Sequence, residues 1–154
     1  PDAYRALRDD LLAELAPKTA RQRLVADNLV DLEWVIARHR RMLAAVTRSE
    51  FRRQAEGAIG RGTAFSSTLP ITESQFGSNL LSGDTAAAER LAGRGVTLSE
   101  LTAAAMLARA ETIAYHEGRI ADLERRRRFL QADYDQLTAR RVGNPDIGDA
   151  EVVG

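Results

Sequence analysis

The stretch that decides the fold is VADNLVDLEWVIARHRRMLAAV, residues 25–46. Its apolar residues and one histidine recur at alternating spacings of four and three, the heptad pattern by which one face of a helix packs on a partner helix. These positions are Val25, Leu29, Leu32, Ile36, His39, Leu43 and Val46. Trp34, Val35 and Met42 widen the apolar face, which is typical of a helix in a bundle. The stretch therefore predicts a long helix with a helical partner.

The start of this helix carries a capping signal. Thr19 and Gln22 stand in the Thr-x-x-Gln form of a capping box, in which side chains bind the free amides of the first turn. No proline or glycine follows until the last turn, so the helix is predicted over residues 19–58. A shorter helix is predicted over residues 1–16, because apolar residues recur there at helical spacing and Pro17 follows.

A second long helix is predicted near the other end of the chain. Thr97 and Glu100 form another capping box, and no proline interrupts the sequence before Pro145, so this helix is predicted over residues 98–141. Its seam, again at spacings of three and four, consists of Ile113, His116, Ile120, Leu123, Arg127, Leu130, Tyr134 and Leu137. The two long helices are of similar length, and a returning connection favours antiparallel pairing.

Glycine, serine and threonine dominate the sequence between the long helices. We interpret residues 59–97 as a long connection that contains one short helix, predicted over residues 85–92 behind the N-cap Asp84. The last residues, 143–154, are predicted to form a flexible tail. A connection of this length without structure of its own is uncommon in a compact domain, and such loops are often functional.

Together these elements predict an all-α fold with a single helical domain over residues 1–142. Its centre is an antiparallel, coiled-coil-like hairpin of the two long helices, to which the shorter N-terminal helix adds. If residue 58 lies near the level of residue 98, facing residue numbers add to about 156. That register sets Ile36 against Ile120 and Leu43 against Ile113, and it brings the only two histidines to one level.

Composition excludes several kinds of chemistry. The 154 residues contain 22 basic and 22 acidic side chains, so no net charge draws the chain to nucleic acid or to an anionic membrane. There is no cysteine, which excludes disulfides, thiolate nucleophiles and thiolate-bound metals. No apolar run approaches the roughly 18 residues that span a bilayer, and no signal peptide opens the chain. With no Gly-x-Ser-x-Gly motif or phosphate-binding loop, we expect no enzyme activity and no cofactor, and a cytoplasmic location.

The two histidines form one candidate metal site. His39 and His116 would face each other across the hairpin, with Glu33 and Glu117 near them along the two helices. However, no Glu-x-x-His or His-x-x-x-His pair places two ligands on one helical face, as helical metal bundles normally require. We interpret both histidines as polar seam positions that fix the register, and keep metal binding as an alternative.

Clustered arginines form a candidate surface for phosphate contacts. The residues are Arg38, Arg41, Arg48, Arg52, Arg125, Arg126 and Arg128. Four consecutive arginines at 125–128 span more than one helical turn and cannot all face one groove. No aromatic residues alternate with them for base stacking. We therefore interpret these arginines as a solvated face neutralised by nearby acids, with nucleic-acid binding as an alternative.

The beginning of the chain resembles a known family. PDAYRALRDDLLAELAP at residues 1–17, RLVADNL at 23–29, Trp34 and RHRR at 38–41 follow a pattern of helical proteins from bacteria. In this widespread, largely uncharacterised family, spaced leucines end at a proline and a tryptophan precedes an arginine-rich segment. Members usually begin with a basic block of the STGPRTPEGK…NALRHG kind, suited to nucleic acid, which residues 1–154 do not contain. The family has no established activity to carry over.

These observations favour a protein that brings other molecules together. We expect a non-enzymatic helical scaffold, an oligomerisation or protein-interaction module, from a phage- or mobile-element-associated bacterial protein. Its expected partner is a protein or a second copy of the chain, and no membrane. Nucleic-acid binding through the arginine clusters and a metal-binding helical bundle are the alternatives.

Overall fold

The computed structural model describes residues 2–60 and 73–143, with side chains described over 2–60 and 75–140. Every element in these residues is helical, which confirms the all-α class. The helices are α1 (Asp2–Leu15), α2 (Ala20–Gly60), α3 (Glu73–Leu81), α4 (Thr85–Ala92), α5 (Leu98–Ala108) and α6 (Ala110–Gly143). Residues 61–72 of the predicted connection and the predicted tail after Gly143 lie outside the described residues.

Local capping chemistry sets the first helix boundaries. After α1, Ala16 has a φ of 47°, the left-handed conformation that commonly ends a helix, and Pro17 follows. At the start of α2, the Gln22 side-chain oxygen accepts hydrogen bonds from the Lys18 and Thr19 amides at 2.8 and 3.1 Å. The Gln22 amide in turn donates to Thr19 Oγ1 at 3.1 Å. The box predicted at Thr19 therefore forms, and α2 begins one residue after it.

The predicted connection contains two helices instead of one. α4 covers the residues predicted for it, and Asp84 accepts hydrogen bonds from the Ala86 and Ala87 amides at 2.9 and 3.3 Å. The added helix, α3, carries Phe76 and Leu80, which are buried. Packing therefore stabilises a glycine- and serine-containing segment whose local sequence does not favour a helix.

The helix predicted over residues 98–141 is divided at Arg109. This residue has a φ of −124° and a ψ of 21°, outside the helical region. Its backbone amide donates a 3.2 Å hydrogen bond to the Met106 carbonyl, three residues earlier, which tightens the turn. Neither glycine nor proline stands at the break. Instead, the Arg109 side chain binds Glu50 of α2 at 3.0 Å, so a tertiary contact accompanies the interruption.

Its contacts divide the chain into two compact units, and the single helical domain over residues 1–142 stays a prediction. Unit 1 comprises Pro1–His39 and Gly118–Gly154, and unit 2 comprises Arg40–Glu117. Each unit has a hydrophobic core of its own, which is the physical reason for the division. The heptad pattern describes one face of a long helix and not which neighbours cover that face, so it carries no information on this division.

The core of unit 2 is built by four helices. Buried residues on it are Phe51, Ala55 and Ile59 from α2, Phe76 and Leu80 from α3, Ala87 and Leu91 from α4, and Leu101 and Ala105 from α5. Helices α3 and α4 each contribute two of these residues. The described part of the predicted connection is therefore folded against the end of α2 and is not a simple linker.

The core of unit 1 joins three helices. Ala26 and Leu29 of α2 pack with Tyr134 of α6, and half-buried residues of α1 cover this cluster. The Tyr134 hydroxyl also donates a 2.6 Å hydrogen bond to the Leu15 carbonyl at the end of α1. No helix among the described residues combines the length and apolar character that a bilayer span requires.

Candidate functional site

Two polar contacts join α2 to α6 within unit 1. Arg127 donates to Glu33 Oε1 at 2.8 Å, and Gln22 Nε2 donates to Thr138 Oγ1 at 3.3 Å. From Glu33 to Gln22 the chain number falls by 11 on α2, and from Arg127 to Thr138 it rises by 11 on α6. The residue numbers of each pair therefore add to 160. The register of about 156 is therefore wrong for unit 1 by four residues, close to one helical turn.

The Glu33–Arg127 contact is an ion pair as well as a hydrogen bond. The hydrogen bond from Arg127 to Glu33 raises the pKa of the guanidinium. Both side chains are partly exposed, at 26% for Glu33 and 38% for Arg127, so solvent screens the attraction. The pair therefore contributes more to register than to stability.

A second group of contacts joins α1 to α2 within unit 1. Tyr4 donates a 2.6 Å hydrogen bond to Asp31 and packs edge-on against Trp34, with ring centroids 5.5 Å apart. The hydrogen bond to Asp31 raises the pKa of the Tyr4 phenol. Arg8 lies 3.6 Å from Asp27. Tyr4 and Arg8 of α1 therefore have structural partners on α2.

The residues of both predicted seams are all buried or half-buried. They are Val25, Leu29, Leu32, Ile36, His39, Leu43 and Val46 on α2, and Ile113, His116, Ile120, Leu123, Leu130, Tyr134 and Leu137 on α6. Leu29, Ile36, His116, Leu123 and Tyr134 are the most deeply buried of them. The periodicity thus identified an inward face of each helix.

The pairing of His39 with His116 stays a prediction. It was derived from the register of about 156, which differs by four residues from the two polar pairs found in unit 1. His39 is half-buried in unit 1, and His116 is 5% exposed in unit 2. Within residues 2–60 and 73–143, no group of three or more histidine, cysteine, aspartate or glutamate side chains is placed to hold a metal ion.

The candidate phosphate-binding arginines are all exposed. These are Arg38, Arg41, Arg48, Arg52, Arg125, Arg126 and Arg128. Within the run at 125–128, Arg125 forms an ion pair with Asp122 at 3.1 Å, while Arg127 turns inward to Glu33. The four consecutive arginines consequently do not form one continuous basic face.

Unit 2 contains a buried carboxylate that was not predicted from the sequence. Glu50 is 1% exposed, and its oxygens accept hydrogen bonds from Arg53 Nε at 2.9 Å, Gln54 Nε2 at 2.9 Å and Arg109 Nε at 3.0 Å. The hydrogen bond from Arg53 is the main cause that lowers the pKa of Glu50 to about 2, against the opposing effect of burial. Glu50 is therefore a buried anion that joins α2 to the break between α5 and α6.

A signal for Glu50 was present in the sequence. It lies four residues after Val46, which makes it the next position of the α2 seam. An acid on an apolar seam requires a partner, because an unpaired buried charge is costly. The partner Arg109 was not identifiable, because it depends on how α5 packs.

An apolar groove lies on the surface of unit 1. Its volume is about 450 Å³, and Leu32, Val35 and Leu130 contribute apolar side chains, with Asp31 and Arg126 also in the lining. Phe129 borders this groove and also a smaller cleft of about 280 Å³. The Phe129 residue is 69% exposed. An exposed aromatic beside an apolar groove is typical of an interaction surface.

Phe129 belongs to neither the predicted seam nor the predicted arginine cluster. It directly follows the arginine run and lies off the seam, a combination that could have marked it as an exposed aromatic.

A comparison of the chain with protein families, curated proteins and solved structures finds no match.

Proposed function

We propose that the chain is a non-enzymatic helical scaffold that self-associates or binds a protein partner. Its framework is an antiparallel, coiled-coil-like hairpin of α2 and α6. The observation that carries this proposal is the pairing in unit 1, where Glu33 binds Arg127 and Gln22 binds Thr138 in opposite chain directions. Long paired helices hold surface residues at fixed distances, which is what a scaffold requires.

The use of polar side chains supports the same proposal. The buried Glu50 accepts hydrogen bonds from Arg53, Gln54 and Arg109, so its charge has a structural role in joining helices. Among the described residues, every buried side-chain nitrogen or oxygen has a hydrogen-bond partner. The exposed Phe129 and its adjacent groove supply a surface through which a scaffold can bind. Bacterial origin, a cytoplasmic location and the family resemblance are parts of this proposal.

Nucleic-acid binding is a second candidate function, favoured by the arrangement of arginines in unit 2. Arg41, Arg48 and Arg52 are exposed and spaced by seven and four residues, which places them on one face of α2. Such a row could follow a phosphate backbone. The overall charge balance of 22 basic and 22 acidic residues weighs against strong non-specific binding, so the scaffold is preferred.

Sedimentation of the full chain separates the two functions. The scaffold proposal predicts a species heavier than the 16.9 kDa single chain that grows with concentration in the absence of nucleic acid. The second candidate predicts a single chain that sediments with a duplex of about 20 base pairs at about 50 mM salt and releases it at about 200 mM. A single chain at every concentration, with no bound protein partner, would contradict the scaffold.

A further inference from the structure

One face of α6 in unit 1 is exposed along six regularly spaced positions. Successive positions are three or four residues apart, so their side chains form a single row along the helix. The row consists of Asp122, Arg125, Phe129, Asp133, Gln136 and Arg140, and each of these residues is exposed. The row lies outside the α6 seam, so the pairing with α2 does not cover it.

The charges in this row are arranged about Phe129. Arg125 precedes Phe129 by four residues and Asp133 follows it by four, while Asp122 and Gln136 lie seven residues to either side. If α6 of a second copy packs antiparallel on this row with the two Phe129 residues level, each Arg125 faces Asp133 of the other copy. A parallel pair would set Arg125 against Arg125 and Asp133 against Asp133. Because like charges in an interface are strongly unfavourable, the row favours the antiparallel pair.

Phe129 gives this arrangement an apolar centre. Its side chain is 69% exposed, and the groove of about 450 Å³ at its side contains Leu32, Val35 and Leu130. In a two-fold interface the same patch is used by both copies, so it must hold both a projecting group and a surface that receives it. The patch in unit 1 has both: a projecting phenyl ring and an apolar groove next to it.

We propose that the α6 row centred on Phe129 is a two-fold interface with a second copy of this chain. The proposal rests on the proposed scaffold function and names its partner and surface. The mixed charges of the row argue for a second copy, because a wholly acidic or wholly basic partner would meet a like charge at Asp133 or at Arg125. The ion pair of Arg125 with Asp122 leaves further guanidinium donors for the opposite chain.

Spin-label distances test the arrangement directly. The chain has no cysteine, so Asp122→Cys, Ala132→Cys and Gln136→Cys each introduce one labelling site in the full chain. With a centre at Phe129, the axial separation between copies is about 21 Å for labels at 122 and at 136, and about 9 Å at 132. Equal distances at all three sites would indicate a parallel pair and overturn the proposal.

Charge exchange gives a second, independent measurement. We expect Arg125→Asp to weaken dimerisation at least about tenfold in sedimentation, because it sets two carboxylates together at both ends of the interface. The double variant Arg125→Asp/Asp133→Arg should recover affinity to within about threefold of the parent. Arg128→Asp is the matched control, since Arg128 is exposed on the same helix but outside the row. The dimerisation affinity of this variant should match that of the parent.

The outcomes distinguish this interface from the scaffold function itself. A dimer that Arg125→Asp does not weaken, or whose label distances do not follow the two-fold pattern, would overturn the α6 interface and leave self-association in place. A chain that stays single at every concentration would overturn the α6 interface, and if it also binds no protein partner it would overturn the scaffold function. Retained helicity in the variants, measured by circular dichroism, confirms that a lost dimer is not a lost fold.

Discussion

Replacing Glu50 by glutamine should lower the free energy of unfolding by about 3 kcal/mol at pH 7. The folded protein holds the pKa of Glu50 at about 2, against an ordinary value of 4.5. The ionised carboxylate therefore stabilises the folded state relative to the unfolded state. Glutamine keeps the shape but loses the negative charge that Arg53, Gln54 and Arg109 bind. Urea unfolding followed by circular dichroism measures the loss, and hydrogen exchange of the α5 amides shows whether it falls on unit 2.

The same carboxylate predicts a pH dependence with a defined sign. Because the folded pKa is lower than the unfolded one, the stabilisation is complete above about pH 5 and is lost as the pH falls towards 2. The difference between the parent and Glu50→Gln should therefore shrink from about 3 kcal/mol at pH 7 to near zero at pH 2. Glu117→Gln, an exposed acid of the same unit, is the control and should change stability little at either pH. An undiminished difference at low pH would contradict this account of Glu50.

Replacing Gly77 by alanine should destabilise unit 2 by about 2 kcal/mol. A Cβ at Gly77 would lie 2.6 Å from the Cα of Arg52 and 2.9 Å from its Cβ, so α3 or α2 must move. Neither of these atoms is the free end of a flexible side chain, and the clash cannot be relieved by a rotamer change. Moving α3 would also disturb Phe76 and Leu80, which lie in the core of unit 2.

Gly57→Ala is the matched control for this substitution. Gly57 is helical in α2, and a Cβ there would meet nothing within 4 Å. Alanine has the higher helix propensity, so this variant should gain about 0.5 to 1 kcal/mol. Chemical unfolding and hydrogen exchange of the α3 amides compare the two. Equal effects of the two substitutions would show that α3 does not approach α2 closely at Gly77.

The features that sequence could predict are those encoded locally. The capping boxes at Thr19 and Thr97 depend only on residues three apart, and both form. Apolar periodicity identified inward-facing seam positions because a helix places residues three and four apart on one side. The N-cap Asp84 likewise depends on its own neighbours.

The features that were missed depend on contacts distant in sequence. α3 forms where Gly77 permits close approach to Arg52, although its own residues favour a helix little. The break at Arg109 coincides with a contact to Glu50, 59 residues away. The register was wrong because an apolar seam repeats at nearly every turn, so a slip of one turn still sets apolar residues together. Only specific polar pairs such as Glu33–Arg127 distinguish the registers.

The pairing of α2 with α6 is tested most directly by charge reversal at Glu33 and Arg127. The two side chains meet at 2.8 Å, and a register of about 156 would instead set Glu33 near Leu123. Glu33→Arg and Arg127→Glu should each destabilise the chain by about 1 kcal/mol, because each sets like charges together. In the double variant Glu33→Arg/Arg127→Glu, the restored pair should return the free energy of unfolding close to the parent value. Losses that simply add in the double variant would contradict the antiparallel pairing proposed here.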